Sequence, residues 1–257
     1  MRGIILAAGR GSRLNGGKGD MPKCLVTVGG ETLLSRNVRI LRAAGVEEIT
    51  IVVGCAAETV RRTMPDLAFV ENAIFAETNS LYSLWLSRQH LLDGFIVMNC
   101  DVLLHPQLVA DLLTSKYEDA LLLAYRDEGT AYGDEEMKVR VRCGRVLDIS
   151  KTMPAEDADG ENLGVAKFGA SGAHLLMEEA DALITGGDVK AWVPRAFKAF
   201  SQRRPLHAIG TRGLPWTEID FPEDYRRAVE VVLPAIERDL ATLTPASLLA
   251  QRVRRTA

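Results

Sequence analysis

One repeated pattern limits what this 257-residue chain can fold into: short segments apolar at consecutive positions, separated by segments of helical periodicity. Arg2–Ala7 (RGIILA), Glu48–Val53 (EITIVV) and Phe95–Asn99 (FIVMN) show no sustained polar–apolar alternation. A strand apolar along its whole length is covered on both faces, as in parallel sheets flanked by helices. Between them, Thr32–Ala44 repeats Leu33, Leu34, Val38 and Leu41 at helical spacing and stops at Gly45. Ala56–Thr63 reads as a short helix and Leu67–Val70 as a strand. Ser80 reads as the cap of a helix over Leu81–Leu92, and Pro106 opens another.

Strands follow at Ala120–Tyr125, Met137–Cys143 and Arg145–Ser150, the last two forming a hairpin about Cys143-Gly144. Asp157–Gly164 reads as a polar loop, Val165–Gly169 as a strand, and Ala173–Ile184 and Lys190–Gln202 as helices. WTEIDFPEDY then gives a strand, an acid and a helix begun by Pro222, before a basic tail. The expected fold is α/β: a mainly parallel, doubly wound (Rossmann-like) sheet with helices on both faces and a small β-rich insertion. No repeat or low-complexity linker interrupts it, so one domain over 1–257 is expected. Its nucleotide-binding half would span about 1–125, an acceptor-binding half about 126–225, and a C-terminal helix and tail about 226–257.

Composition narrows the partners. The net charge of −3 offers no bulk attraction to nucleic acid or an anionic membrane, so neither is expected. No apolar run approaches the roughly 18–20 residues that span a bilayer. The four cysteines, Cys24, Cys55, Cys100 and Cys143, are scattered without metal-ligand spacing, which suits a reducing cytoplasm.

Chemistry concentrates just after the first strand. The loop AAGRGSRLNGGKGDMPK combines glycines with Arg10, Arg13, Lys18 and Lys23. Glycines let backbone amides approach an anion, and Arg13 adds a planar fork where Lys23 adds a point charge. A solvated surface loop is the alternative. The GxxxxGK[ST] pattern is absent, and Leu14 stands where GxGxxG needs its last glycine, so neither a P-loop nor a dinucleotide fingerprint is met.

LAAGRGSRL, followed after seven residues by Pro22-Lys23, resembles the signature of nucleotidyltransferases that activate sugar phosphates and related alcohol phosphates. TNSLYSLWLS, MNCDVLL and TEIDFPEDY are most similar to bacterial phosphocholine cytidylyltransferases and their phosphonate-activating relatives. The resemblance runs from Gly3 to about Tyr225. It departs at Gly16-Gly17, where family members often carry proline.

The resemblance implies transfer of CMP from CTP to a small phosphate- or phosphonate-bearing acceptor, of phosphocholine or 2-aminoethylphosphonate type, with release of pyrophosphate. Positioning and electrostatics would drive the reaction, with Mg²⁺ as cofactor. Asp101 and Asp220 take the two metal positions, with Glu218 as an alternative ligand. Arg13 would bind the β/γ-phosphates and Lys23 would bridge the α-phosphate and the acceptor. Leu6, Ala7, Ala8, Gly9, Gly11 and Ser12 would cradle the nucleotide, with Asn79 and Ser80 at the pyrimidine edge.

Lys151 and Lys167 are candidates for the acceptor's phosphate, and Tyr82, Tyr132, Trp192 and Trp216 for an aromatic wall around a quaternary ammonium. The run Asp134-Glu135-Glu136 could neutralise an amine. A hexose-1-phosphate nucleotidyltransferase using UTP, dTTP or GTP is the rival enzyme, and a silent nucleotide-binding module the rival of another class. A homodimer is the assembly to test.

Overall fold

The computed structural model describes residues 1–14, 22–126, 132–133 and 135–242. Lys18, Gly16-Gly17, Asp134 and the basic tail lie outside them. The first half runs β1 (Arg2–Ala7), the hairpin β2 (Thr27–Val28) and β3 (Glu31–Thr32), α1 (Leu33–Ala43), β4 (Ile49–Val53), α2 (Ala57–Thr63) and β5 (Ala68–Glu71). It continues through α3 (Ser80–Leu86), β6 (Phe95–Asn99), β7 (Val102–Leu104), α4 (Pro106–Thr114) and β8 (Ala120–Tyr125). The second half holds β9 (Lys138–Arg142), β10 (Arg145–Ser150), β11 (Gly160–Phe168), α5 (Ala170–Thr185), α6 (Val193–Arg203), β12 (His207–Gly210) and β13 (Trp216–Glu218). It closes with α7 (Pro222–Arg227), a π-helical segment (Ala228–Val232) and α8 (Leu233–Thr242).

Among the described residues nine strands form one sheet in the order β5-β4-β1-β6-β11-β8-β12-β10-β9. The first four are parallel, which explains why their sequences are apolar throughout. Successive residues of β1 serve opposite faces. Ile4 and Leu6 pack with Leu84, Leu176 and Phe200 from α3, α5 and α6. Ile5 and Ala7 pack with Val38, Val60 and Leu108 from α1, α2 and α4. Helices thus cover both faces.

The expectation of a mainly parallel sheet is corrected by the second half. β11 runs antiparallel between β6 and β8, and β9 and β10 pair antiparallel with each other and at the far edge. The sheet is mixed. Pairing between segments so distant in sequence leaves no local mark on composition.

Other expectations shift for local reasons. Asp157–Gly164 is not simply a loop: β11 begins at Gly160, whose backbone pairs with Tyr125 on one side and Val139 on the other. α3 stops at Leu86 and gives way to a 3₁₀ turn at Arg88–His90. Its cap is Asn79, whose Oδ1 accepts from the Ser80 amide at 2.8 Å, rather than Ser80. The hairpin turn is as expected, with positive φ at Cys143 (51°) and Gly144 (74°), the combination that suits strand twist. Among the described residues no helix is long and apolar enough to cross a membrane.

Candidate active site

The carboxyl ends of β1 and β6 open onto a cavity of about 370 Å³. β1 delivers the Ala8–Arg13 loop there, and β6 delivers Asn99, Cys100 and Asp101. The third contribution comes from far along the chain. β13 pairs antiparallel with β7, setting Glu218 opposite Val102, and the Ile219 amide donates to the Asp101 carbonyl at 3.0 Å. This small two-stranded sheet brings the two acidic segments together. The turn after them is fixed by Asp224, whose Oδ2 accepts from the amides of Asp220 (3.0 Å) and Phe221 (2.8 Å).

Asp101, Glu218 and Asp220 each offer a carboxylate oxygen, all within 4.8 Å of one another. Lys23 Nζ lies 3.1 Å from Asp101 Oδ2 and also contacts Asp220 Oδ1. Arg13 reaches Asp220 at 3.8 Å and rests its guanidinium 5.2 Å from the Phe221 ring centre. Asp101 Oδ1 is buried with no hydrogen-bond partner among the described residues. Burial pushes the Glu218 carboxyl up to about 8, with the Asp101 charge adding and Lys23 opposing. A hard divalent cation takes oxygen ligands of this kind, and an orphaned buried carboxylate oxygen fits that use.

Across the cavity mouth, Glu135 Oε2 accepts from both Arg13 (2.9 Å) and Lys151 (3.0 Å), which hold its carboxyl below the usual range. Lys151 Nζ also lies 4.9 Å from the centre of the Trp192 ring.

Of the residues singled out from sequence, Leu6, Ala8, Gly9, Gly11, Ser12 and Arg13 line the cavity from the first loop. Lys23, Asn79, Ser80, Asp101, Lys151 and Asp220 line it from elsewhere, as do Trp192, Glu135 and Glu218. Five lie apart. The Ala7 side chain packs into the core on the opposite face. Lys167 is buried and its Nζ donates to the carbonyls of Leu113 and Ser115, both at 3.2 Å, where α4 ends. Tyr82 tilts against Trp85 at 5.4 Å, and Trp216 pairs with Leu104 and packs on the core. The Arg126 guanidinium lies 5.7 Å from the Tyr132 ring centre, and Tyr132 is not among the described residues lining the cavity. The four-membered aromatic wall therefore reduces to Trp192.

Sequence reasoning passed over Asn72, Phe75, Ser83 and Asn162, which all line the cavity. Asn72 directly follows β5 at the same sheet edge, a signal that was available. Asn162 was hidden inside a segment read as a loop. Phe75 depends on a tertiary fit: a Cβ at Gly54 would stand 2.7 Å from Phe75 Cβ and 2.8 Å from the Ala8 carbonyl oxygen.

The MobA-like NTP transferase domain family matches residues 3–209. This chain belongs to that family. A bifunctional IPC transferase and DIPP synthase of Rubrobacter xylanophilus is 34% identical over 239 residues, which is 89% of this MobA-like chain but 51% of that protein. The chain therefore spans about half of that relative's length. The choline-phosphate cytidylyltransferase of Streptococcus pneumoniae is 26% identical over 244 residues, covering 90% of this chain and 98% of the other. The solved CTP:phosphocholine cytidylyltransferase structure from that species superposes with a TM-score of 0.74 at 26% identity, again over 90% and 98% of the two chains.

Proposed function

We propose that this MobA-like NTP transferase is a cytidylyltransferase that moves CMP from CTP to a small phosphate- or phosphonate-bearing acceptor. The observation that carries this reading is Lys23 set between Asp101 and Asp220, with Arg13 at the same cluster. The likeness to a choline-phosphate cytidylyltransferase along nearly its whole length supports the choice of nucleotide. An acceptor oxygen attacks the α-phosphorus, the bond to the β-phosphate oxygen breaks, and pyrophosphate leaves. That oxygen is already ionised near neutral pH, so no general base is needed. The barrier is the approach of two polyanions.

Arg13 binds the β/γ-phosphates in this scheme, exchanging Glu135 and Asp220 for phosphate oxygens. Lys23 shields the α-phosphate as the acceptor closes in, and Lys151 takes the acceptor's phosphate or phosphonate. Mg²⁺ held by Asp101 and Asp220, with Glu218 beside them, would neutralise charge on the triphosphate. The test is pyrophosphate release with each nucleoside triphosphate against a panel of acceptors. CTP-dependent release with phosphocholine or an aminophosphonate is expected. Release only with hexose phosphates and UTP, dTTP or GTP would replace this reading, and nucleotide binding without release would reduce the chain to a binding module.

A further inference from the structure

At one side of the cavity a neutral polar cluster is set among apolar groups. Asn72 is 1% exposed and Ser83 3% exposed, and both line the cavity together with Leu6, Phe75 and Val97. The Asn72 amide is held in one orientation by its neighbours. Its Oδ1 accepts from the Ile74 backbone amide at 3.2 Å, a partner that can only donate. Nδ2 must then face Thr78 Oγ1 at 2.9 Å and Ser83 Oγ at 3.1 Å. Thr78 agrees, because its own proton goes to the Ile74 carbonyl at 3.0 Å, leaving its oxygen to accept. The Asn72 backbone N–H donates to the Val53 carbonyl at 2.8 Å, tying the arrangement to β4.

The consequence falls on Ser83. Its oxygen already accepts from Asn72, and its proton has no acceptor among the described residues. Ser83 therefore presents a donor to whatever occupies the cavity. Cytosine N3 is an acceptor, whereas uracil carries N3–H and is a donor at the same place. A donor fixed by a buried amide matches the first base and opposes the second.

We infer that Ser83 reads the pyrimidine N3 edge, and that Asn72 is a positioning residue setting the direction of the Ser83 hydroxyl, so that the pair selects cytosine over uracil. This rests on the cytidylyltransferase reading above. In Asn72→Asp the carboxylate accepts from Ser83 and turns the hydroxyl's oxygen toward the ligand. Ser83→Ala removes the donor without placing a charge in the core.

The experiment is calorimetric titration of the full chain with CTP and with UTP, Mg²⁺ present and acceptor absent, alongside thermal melting. Wild type should prefer CTP by about tenfold or more, the scale set by one mismatched hydrogen bond. Ser83→Ala should lose most of that preference, chiefly through weaker CTP binding. Asn72→Asp, if it melts as a folded protein, should lose it too and bind UTP no worse than wild type. A CTP preference unchanged in Ser83→Ala overturns the inference alone. Wild type binding neither nucleotide overturns the functional reading and this inference with it. Kinetically, the Ser83→Ala effect belongs in KM for CTP with kcat nearly unchanged, and an equal loss in kcat alone also counts against it.

Discussion

Two sides of the cavity are built from the same kinds of charge in different surroundings. At the carboxylate cluster, the Lys23, Asp101 and Asp220 side chains are 13%, 15% and 18% exposed. Their backbones are tied by β7, β13 and the Ile219–Asp101 hydrogen bond. At the mouth, Arg13 and Glu135 are 46% and 55% exposed, and Glu135 sits just before the antiparallel β9–β10 hairpin. Water screens the second set far more than the first, so an ion pair at the mouth stabilises little. The inner cluster is where a charge change must be felt.

The largest effect expected from breaking this contrast is on turnover in Asp101→Ala. Pyrophosphate release should fall by roughly 10²–10³-fold, the scale for losing a principal electrostatic group. Melting should stay close to wild type, because the backbone carbonyl that accepts from Ile219 is retained. A near-normal rate would remove Asp101 from the proposed metal site.

Lys23→Met comes next. It leaves three carboxyl groups within 4.8 Å of one another without their central cation. Loss of a partner from a largely buried pair should lower Tm by roughly 5–10 °C, with millimolar Mg²⁺ restoring part of it. Restoration by NaCl at matched ionic strength would show screening in place of metal binding.

A smaller effect sharpens the comparison through pH. Glu161 on β11 has its carboxyl pushed from 4.5 to about 7, first by burial and then by Glu136 and Asp224, against Arg227 and Lys138. It also faces Glu218. Its folded pKa lies above the unfolded one, so the folded state keeps a proton that the unfolded state has lost. This contribution makes stability fall as pH rises from about 4.5 to about 7 and leaves it low above that range. Glu161→Gln should therefore melt above wild type near pH 8 and close to it near pH 4. Equal Tm differences at both values would dismiss the titration.

The smallest effect is reserved for the mouth. Glu135→Gln should shift Tm by less than about 2 °C and kcat by less than about threefold. A change as large as that in Lys23→Met would abolish the distinction between the two sides.

Much of this was legible because it is local. Ile4–Ala7, Ile51–Val53 and Val97–Met98 declare buried strands without knowing their neighbours, and Thr32 caps α1 as its chemistry suggests, accepting from the Ser35 amide. β7 and β12 were not legible, since three or four apolar residues beside a turn suit many structures. Lys167 and Trp216 misled for a related reason: a lysine or tryptophan near a site in sequence is free to point its side chain the other way. Asn72 and Ser83 could be named only once their hydrogen-bond partners were known.

The sequence by itself determined the apolar parallel strands at the centre of the sheet and most of the helices that flank them, and it set Arg13 and Lys23 close together in the chain, because runs of apolar residues, caps and glycines act over a few positions. The tertiary structure alone decided that β11 enters antiparallel between β6 and β8, and that β13 pairs with β7 to carry Asp220 to Asp101. It also set the direction of the Ser83 hydroxyl through Asn72. Strand register and hydrogen-bond direction depend on which distant groups meet, and that is settled by how the whole chain buries its apolar surface.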